Sequence, residues 1–239
     1  MYFLYRISNN SYRKDRLPNG TKENCFRNFL SGLLAPEDTL IVVADNVNQD
    51  LTQFLKEHLP SNGKLLQVSA GSNAASFKLQ LELAKEIPQD EIVFLHEDDY
   101  LYQTTPDPLA ARQLNNRLVH EGLERADYVS LYDHPDKYMP PSQGGNPLVR
   151  KDGVEVTGIF LTPSSHWKYT NSTTLTFATR VSTLMADARM WNKLAPADFK
   201  AFMKLRRRGR KLATPIPGRS THAETQWQTP LYDWASVSG

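Results

Sequence analysis

Short apolar runs and stretches of helical period alternate through the first hundred residues. YFLYRI (residues 2–7) reads as a strand, and Thr21 is placed to cap a helix from about residue 23 to 34. TLIVVA (residues 39–44) is a continuous β-branched run, the pattern of a strand covered on both faces. Asn48 then opens a stretch in which Leu51, Phe54, Leu55 and Leu59 share one helical face. KLLQVS (64–69) predicts a third strand. Asn73 is expected to cap a helix lined by Phe77, Leu81 and Ala84, and EIVFLH (91–96) predicts a fourth strand. Strand and helix in strict alternation predict an α/β fold with a Rossmann-like, mostly parallel central sheet and flanking helices.

The pattern changes after residue 103. A helix is predicted over 108–126 and a strand over 127–134. Residues 135–152, with Pro140-Pro141 and Gly144-Gly145, are expected to form a loop. A hairpin strand in VEVTGIFL and an alternating strand over 173–181 follow. Two helices, over about 184–194 and 196–208, then a strand from Leu212, complete a mixed second half. No repeat and no linker interrupts the chain, so it reads as one domain over 1–239 with halves at 1–103 and 104–239.

Bulk composition narrows the classes. Lys plus Arg number 28 and Asp plus Glu 26, a formal charge of +2, which argues against a dedicated nucleic-acid binder. The cluster Arg206, Arg207, Arg208, Arg210 and Lys211 lacks the interleaved aromatics of such a protein and reads as the basic end of a helix, where cations suit the dipole. One cysteine, Cys25, permits no internal disulfide and fits a reducing, cytoplasmic setting. No run approaches the ~18 apolar residues of a membrane span, which leaves peripheral contact through the basic cluster as the one membrane association to consider.

The chemistry gathers at strand ends. The fourth strand delivers Glu97-Asp98-Asp99, three consecutive acids that repel one another and call either for a cation nearby or for open water. The second strand ends in Asp45, and the first in Ser8-Asn9. Ligands of open α/β sheets bind beyond these carboxyl ends. In the second half, PADFKAFMKLRRRGRKLATPIPGRSTH carries Asp198 at a helix start, then basic residues, a glycine, a strand and His222.

Taken together, FLHEDDYLY and this later segment resemble the GT-A glycosyltransferases, most closely those of family 2 type. The resemblance covers nearly the whole chain, loosely between residues 135 and 167. It implies a nucleotide-sugar-binding half (1–103), a mixed acceptor-binding half (104–239), and a divalent ion, Mn²⁺ or Mg²⁺. It further implies transfer of a sugar from a nucleoside-diphosphate donor to a hydroxyl of a glycan or lipid-linked saccharide, inverting by single displacement. By position, Glu97 would face the ribose and Asp98 or Asp99 the metal, with His222 as a further ligand. Asp45, Ser8 and Asn9, with Arg6 and Asn73, would contact the donor. Asp198 would be the base, Asp133 the reserve, and His166-Trp167 would meet the acceptor. Asp45 and Asn73 read equally well as a turn residue and a helix cap. The pair before the helix is Ala197-Asp198 where the family commonly has two acids, which keeps a non-catalytic nucleotide-sugar binding module as the alternative.

Overall fold

A computed structural model describes residues 1–9 and 15–238. The predicted alternation is present: β1 (Tyr2–Ser8), α1 (Lys22–Gly32), β2 (Thr39–Asp45), α2 (Gln49–His58), β3 (Lys64–Val68), α3 (Asn73–Ala84), β4 (Ile92–His96). Capping sets the helix starts. The Thr21 hydroxyl accepts from the Asn24 amide, and the Asn48 carbonyl oxygen accepts from Leu51. At α3 the cap is Ser72, one residue before the expected Asn73, which is the first helical residue and leaves its side chain for other use.

Past β4 come β5 (Tyr100–Tyr102), α4 (Pro108–Leu123), β6 (Tyr128–Val129), β7 (Ile159–Leu161), β8 (His166–Thr170), β9 (Phe177–Arg180), α5 (Val181–Leu194), α6 (Asp198–Arg207), β10 (Leu212–Ile216) and β11 (Ser220–His222). The Pro- and Gly-rich stretch expected as a loop contains two single 3₁₀ turns, Pro135–Tyr138 and Pro141–Gln143. Of the strand expected over 127–134, Tyr128–Val129 pairs in the sheet, the Ser130 amide still donates to the Ala213 carbonyl at 3.0 Å, and Tyr132 forms an isolated bridge with Ser220.

Among the described residues, nine strands form one sheet in the order β3-β2-β1-β4-β9-β6-β10-β8-β7, to which both halves of the chain contribute. β1, β2, β3 and β4 are mutually parallel, and β10 is parallel to β6. Only β9 and β8 run against the other strands. β11 pairs antiparallel with β5 in a separate ribbon.

The sheet is covered on both faces, as the β-branched runs require. One face carries Phe3, Tyr5, Val42 and Phe94 with Phe26 and Phe29 of α1, Leu51 and Leu55 of α2 and Leu118 of α4. The other carries Leu4, Val93, Leu95 and Phe177 with Phe77 of α3, Trp191 of α5 and Phe202 of α6. Full burial of such side chains stabilises by about 1.5–3 kcal/mol each, so β4, at the centre and buried along its length, is a rigid stem for the acids that follow it. His96 belongs to that stem: its ring stacks on Tyr5 at 4.7 Å and bonds the Tyr102 hydroxyl at 2.7 Å. Burial drives its pKa down to about 3, so it is a neutral core histidine.

Candidate functional site

The three acids after β4 fan out to three different cations. Glu97 takes a 2.6 Å bond from the Arg6 guanidinium, and its backbone amide donates to the Thr176 hydroxyl at 3.1 Å. Asp98 accepts from the Ser8 backbone amide at 2.9 Å and is paired with the Lys22 ammonium. Asp99 lies 3.6 Å from the Arg16 guanidinium and 3.2 Å from His222 Nε2. Adjacent carboxylates are tolerated because each has its own positive partner. Even so, burial raises the Glu97 carboxyl above its usual range, against the opposing pull of Arg6.

β11 brings the second half to this point. His222 stands opposite Tyr100 in the β5–β11 ribbon, and the Ala223 amide donates to the Asp99 carbonyl at 2.8 Å. Glu224 lies beyond, its carboxylate 3.1 Å from His222 Nδ1. One ligand atom from each of Asp99, His222 and Glu224 falls within 4.8 Å of the others. Two carboxylates and an imidazole are a donor set that suits Mn²⁺-like ions, so the residues fit a divalent metal. Of the expected ligands, Asp99 and His222 meet, while Asp98 is engaged by Ser8 and Lys22 instead.

Asp198 opens α6. Its carboxylate accepts from the Phe199 amide at 2.5 Å. Burial raises its pKa, and the nearby Lys137 and His222 pull against that rise while Asp136 adds to it. Asp198 also contributes to the field at Glu97. The acid at the helix start therefore shares one electrostatic site with the acids of β4. Asp133, the reserve base, is only 3% exposed. Lys168 holds it at 3.0 Å and the Tyr138 hydroxyl donates to it, which occupies both carboxylate oxygens.

The nucleoside-side expectations divide. Arg6, besides binding Glu97, donates to the Asn73 backbone carbonyl at 3.0 Å and to its side-chain oxygen, joining β1, α3 and the acids. Asp45 accepts from the amides of Ala70 and Gly71 at 2.8 and 3.3 Å and from the Asn46 side chain at 2.8 Å, so it shapes the β3–α3 turn. Asn9 accepts from the Asn48 amide at 2.6 Å. The acceptor pair separates by strand alternation. Trp167 is fully buried, its indole N–H bonded to Thr162 at 2.9 Å and its ring parallel to Phe160, so it presents no ring face to a ligand. His166 is exposed, at the start of β8.

Sequence reasoning passed over Arg16, Lys22, Glu224 and Thr176. Glu224 carried a signal, since it stands two residues after His222 and so shares its side of an extended chain.

No family model matches the chain, and no curated protein matches it. Solved structures resemble it in fold. GalNAc-T7, solved with UDP, GalNAc and Mn²⁺, aligns over 100% of this chain and 46% of its own length, with a TM-score of 0.54 and 12% identity. The galactosyltransferase LgtC, in complex with donor and acceptor sugar analogs, aligns over 90% of this chain and 73% of its own at 9% identity and a TM-score of 0.47. A nucleotide-diphospho-sugar transferase assignment from Desulfovibrio desulfuricans G20 aligns over 89% and 78% at 14% identity and 0.46. The chain thus has the α/β fold of GT-A type.

Proposed function

We propose that the protein is a glycosyltransferase that moves a sugar from a nucleoside-diphosphate-sugar donor to a hydroxyl acceptor, a glycan or a lipid-linked saccharide. The observation that supports this best is the convergence of Asp99, His222 and Glu224 with Asp198 at the carboxyl edge of a GT-A type sheet. In this reading the ends of β1 and β2, with Ser8, Asn9 and Asp45, form the nucleoside wall. Arg6 and Asn73 hold Glu97 toward the ribose. Asp99, His222 and Glu224 hold a divalent ion, Mn²⁺ or Mg²⁺. Such an ion offsets charge on a leaving diphosphate.

The chain's own residues account for the proton. Asp198 accepts the acceptor's hydroxyl proton as the sugar transfers, on the carboxylate oxygen that the Phe199 amide does not hold. Its raised pKa makes it a stronger base than an exposed aspartate. Asp133 is less suited, because it is 3% exposed and its carboxylate is already engaged by Lys168 and by the Tyr138 hydroxyl. One base and, among the described residues, no second carboxylate assigned as a nucleophile favour single displacement with inversion.

A thermal-shift screen of nucleoside-diphosphate sugars, with and without Mn²⁺, tests the donor reading. The expected result is a metal-dependent rise in melting temperature with at least one donor in the parent and its loss in Asp99→Asn. No stabilisation by any nucleoside diphosphate or its sugars would remove the proposal. The alternative, a nucleotide-sugar binding module without catalysis, rests on Ala197 standing where a second acid is commonly found. It predicts the same thermal shift with no release of nucleoside diphosphate.

A further inference from the structure

We infer that Arg16 and Lys22 are diphosphate-binding residues that give the protein affinity for a diphosphate even without a metal ion. This rests on the donor reading above but concerns a different pair of side chains. Arg16 precedes α1 and Lys22 opens it, and residues 16–17 are stitched to the site. Arg16 forms a backbone bridge with Glu224, the Leu17 amide donates to the Ala223 carbonyl at 3.1 Å, and Lys22 is the first residue of α1. Their side chains are 21% and 15% exposed.

Their present partners are the acids of the site itself. Lys22 is held by Asp98. Arg16 is held only loosely, since its 3.6 Å approach to Asp99 is an ion pair beyond hydrogen-bond reach. Among the described residues, both terminal nitrogens of Arg16 are shielded from solvent and donate no hydrogen bond. Shielded donors without acceptors are costly, and an acceptor-rich anion would relieve them. A guanidinium fork and a point-charge ammonium are the groups that recognise phosphate oxygens. Asp99 is shared between Arg16 and the Asp99–His222–Glu224 cluster. Two cations on one segment, against neighbouring acids, suit an anion with two linked phosphates better than a single phosphate.

Isothermal titration of the full chain with inorganic pyrophosphate in EDTA tests this. The parent is expected to bind pyrophosphate more tightly than orthophosphate. Arg16→Gln and Lys22→Gln are each expected to weaken pyrophosphate roughly tenfold to hundredfold. Arg16→Lys keeps the charge but not the fork and should fall between, which also covers a failure of Arg16→Gln to fold. Lys193→Gln, at an exposed lysine of α5, is expected to change nothing. The inference is overturned if the parent does not bind pyrophosphate in EDTA, if the Arg16 and Lys22 variants titrate like the parent, or if Lys193→Gln weakens binding equally. Binding of pyrophosphate that depends on Arg16 and Lys22, with no response to any nucleoside diphosphate or its sugars, would sustain this pair as an anion site while defeating the donor reading.

Discussion

Asp136 anchors the 3₁₀ turn that faces Asp198, and its replacement by asparagine gives a calculable effect. Its carboxylate receives His134 Nδ1 at 2.9 Å, the Lys137 ammonium at 2.9 Å and the Asn146 amide at 3.1 Å. Burial alone would raise its pKa, but the His134 and Lys137 contacts outweigh that and hold it at about 2. The gap from an ordinary aspartate near 3.8 corresponds to roughly 2.5 kcal/mol of folding stability. A depressed carboxyl contributes stability that is fully present above its unfolded pKa and is lost as pH falls through the folded value. The window is therefore below about 4, with about half of the contribution gone by pH 3. Asp136→Asn also leaves Lys137, only 1% exposed, with a weaker counter-charge. Removing one partner of a buried pair costs about 3–5 kcal/mol, so a loss near 3 kcal/mol is expected at pH 7. Urea unfolding of parent and variant at pH 7 and pH 3 should show the difference shrinking by about 1 kcal/mol at the lower pH. A loss under about 0.5 kcal/mol at pH 7, or a difference that does not change with pH, would mean that these contacts do not stabilise the Asp136 carboxylate.

The other predictions concern the site and its support. Asp198→Asn should keep donor affinity and melting temperature but lose about 10²–10⁴-fold in transfer rate. In the parent, transfer should fall with pH through a value above the ordinary aspartate range, because the base must be ionised and its pKa is raised; a pH–rate profile reads this limb. Asp99→Asn and His222→Ala should abolish Mn²⁺ binding measured by electron paramagnetic resonance, while Asp98→Asn should retain it, and equal loss in all three would contradict the ligand assignment. Gly122→Ala would bring a Cβ to 2.7 Å from Val129 and 2.8 Å from Trp167; it should lower stability by about 1–3 kcal/mol in urea without changing donor affinity.

Periodicity and caps made most of the first half legible. Each apolar run there is both a complete strand and a fully covered one, so local pattern and burial agree. The carboxyl-edge placement of Asp45, Asp98 and Asp99 followed directly. The second half was harder, because β6 pairs over only two residues and β7 and β11 over three. Such short strands leave almost no period to read. The division of labour among Glu97, Asp98 and Asp99 was hidden as well. It depends on Arg6, Lys22 and Arg16, which lie on other elements and converge only once the sheet forms. The Trp167 ring suits stacking on a sugar and packing in the core equally well by sequence; neighbours in a strand face opposite sides, and its side is the core. Asp99 and His222 illustrate the reverse case: far apart in sequence, both were expected at a metal, and β5–β11 pairing sets them 3.2 Å apart.

We propose that this site turns over a nucleotide-sugar. Its most direct test is release of nucleoside diphosphate from the donor found by thermal shift, followed with Mn²⁺ in the parent, Asp99→Asn and Asp198→Asn. Steady release by the parent, none by Asp99→Asn, and donor binding with strongly reduced release by Asp198→Asn is the predicted result. A parent that binds the donor with Mn²⁺ yet releases no nucleoside diphosphate across glycan and lipid-linked acceptors would contradict the claim and leave a binding module in its place.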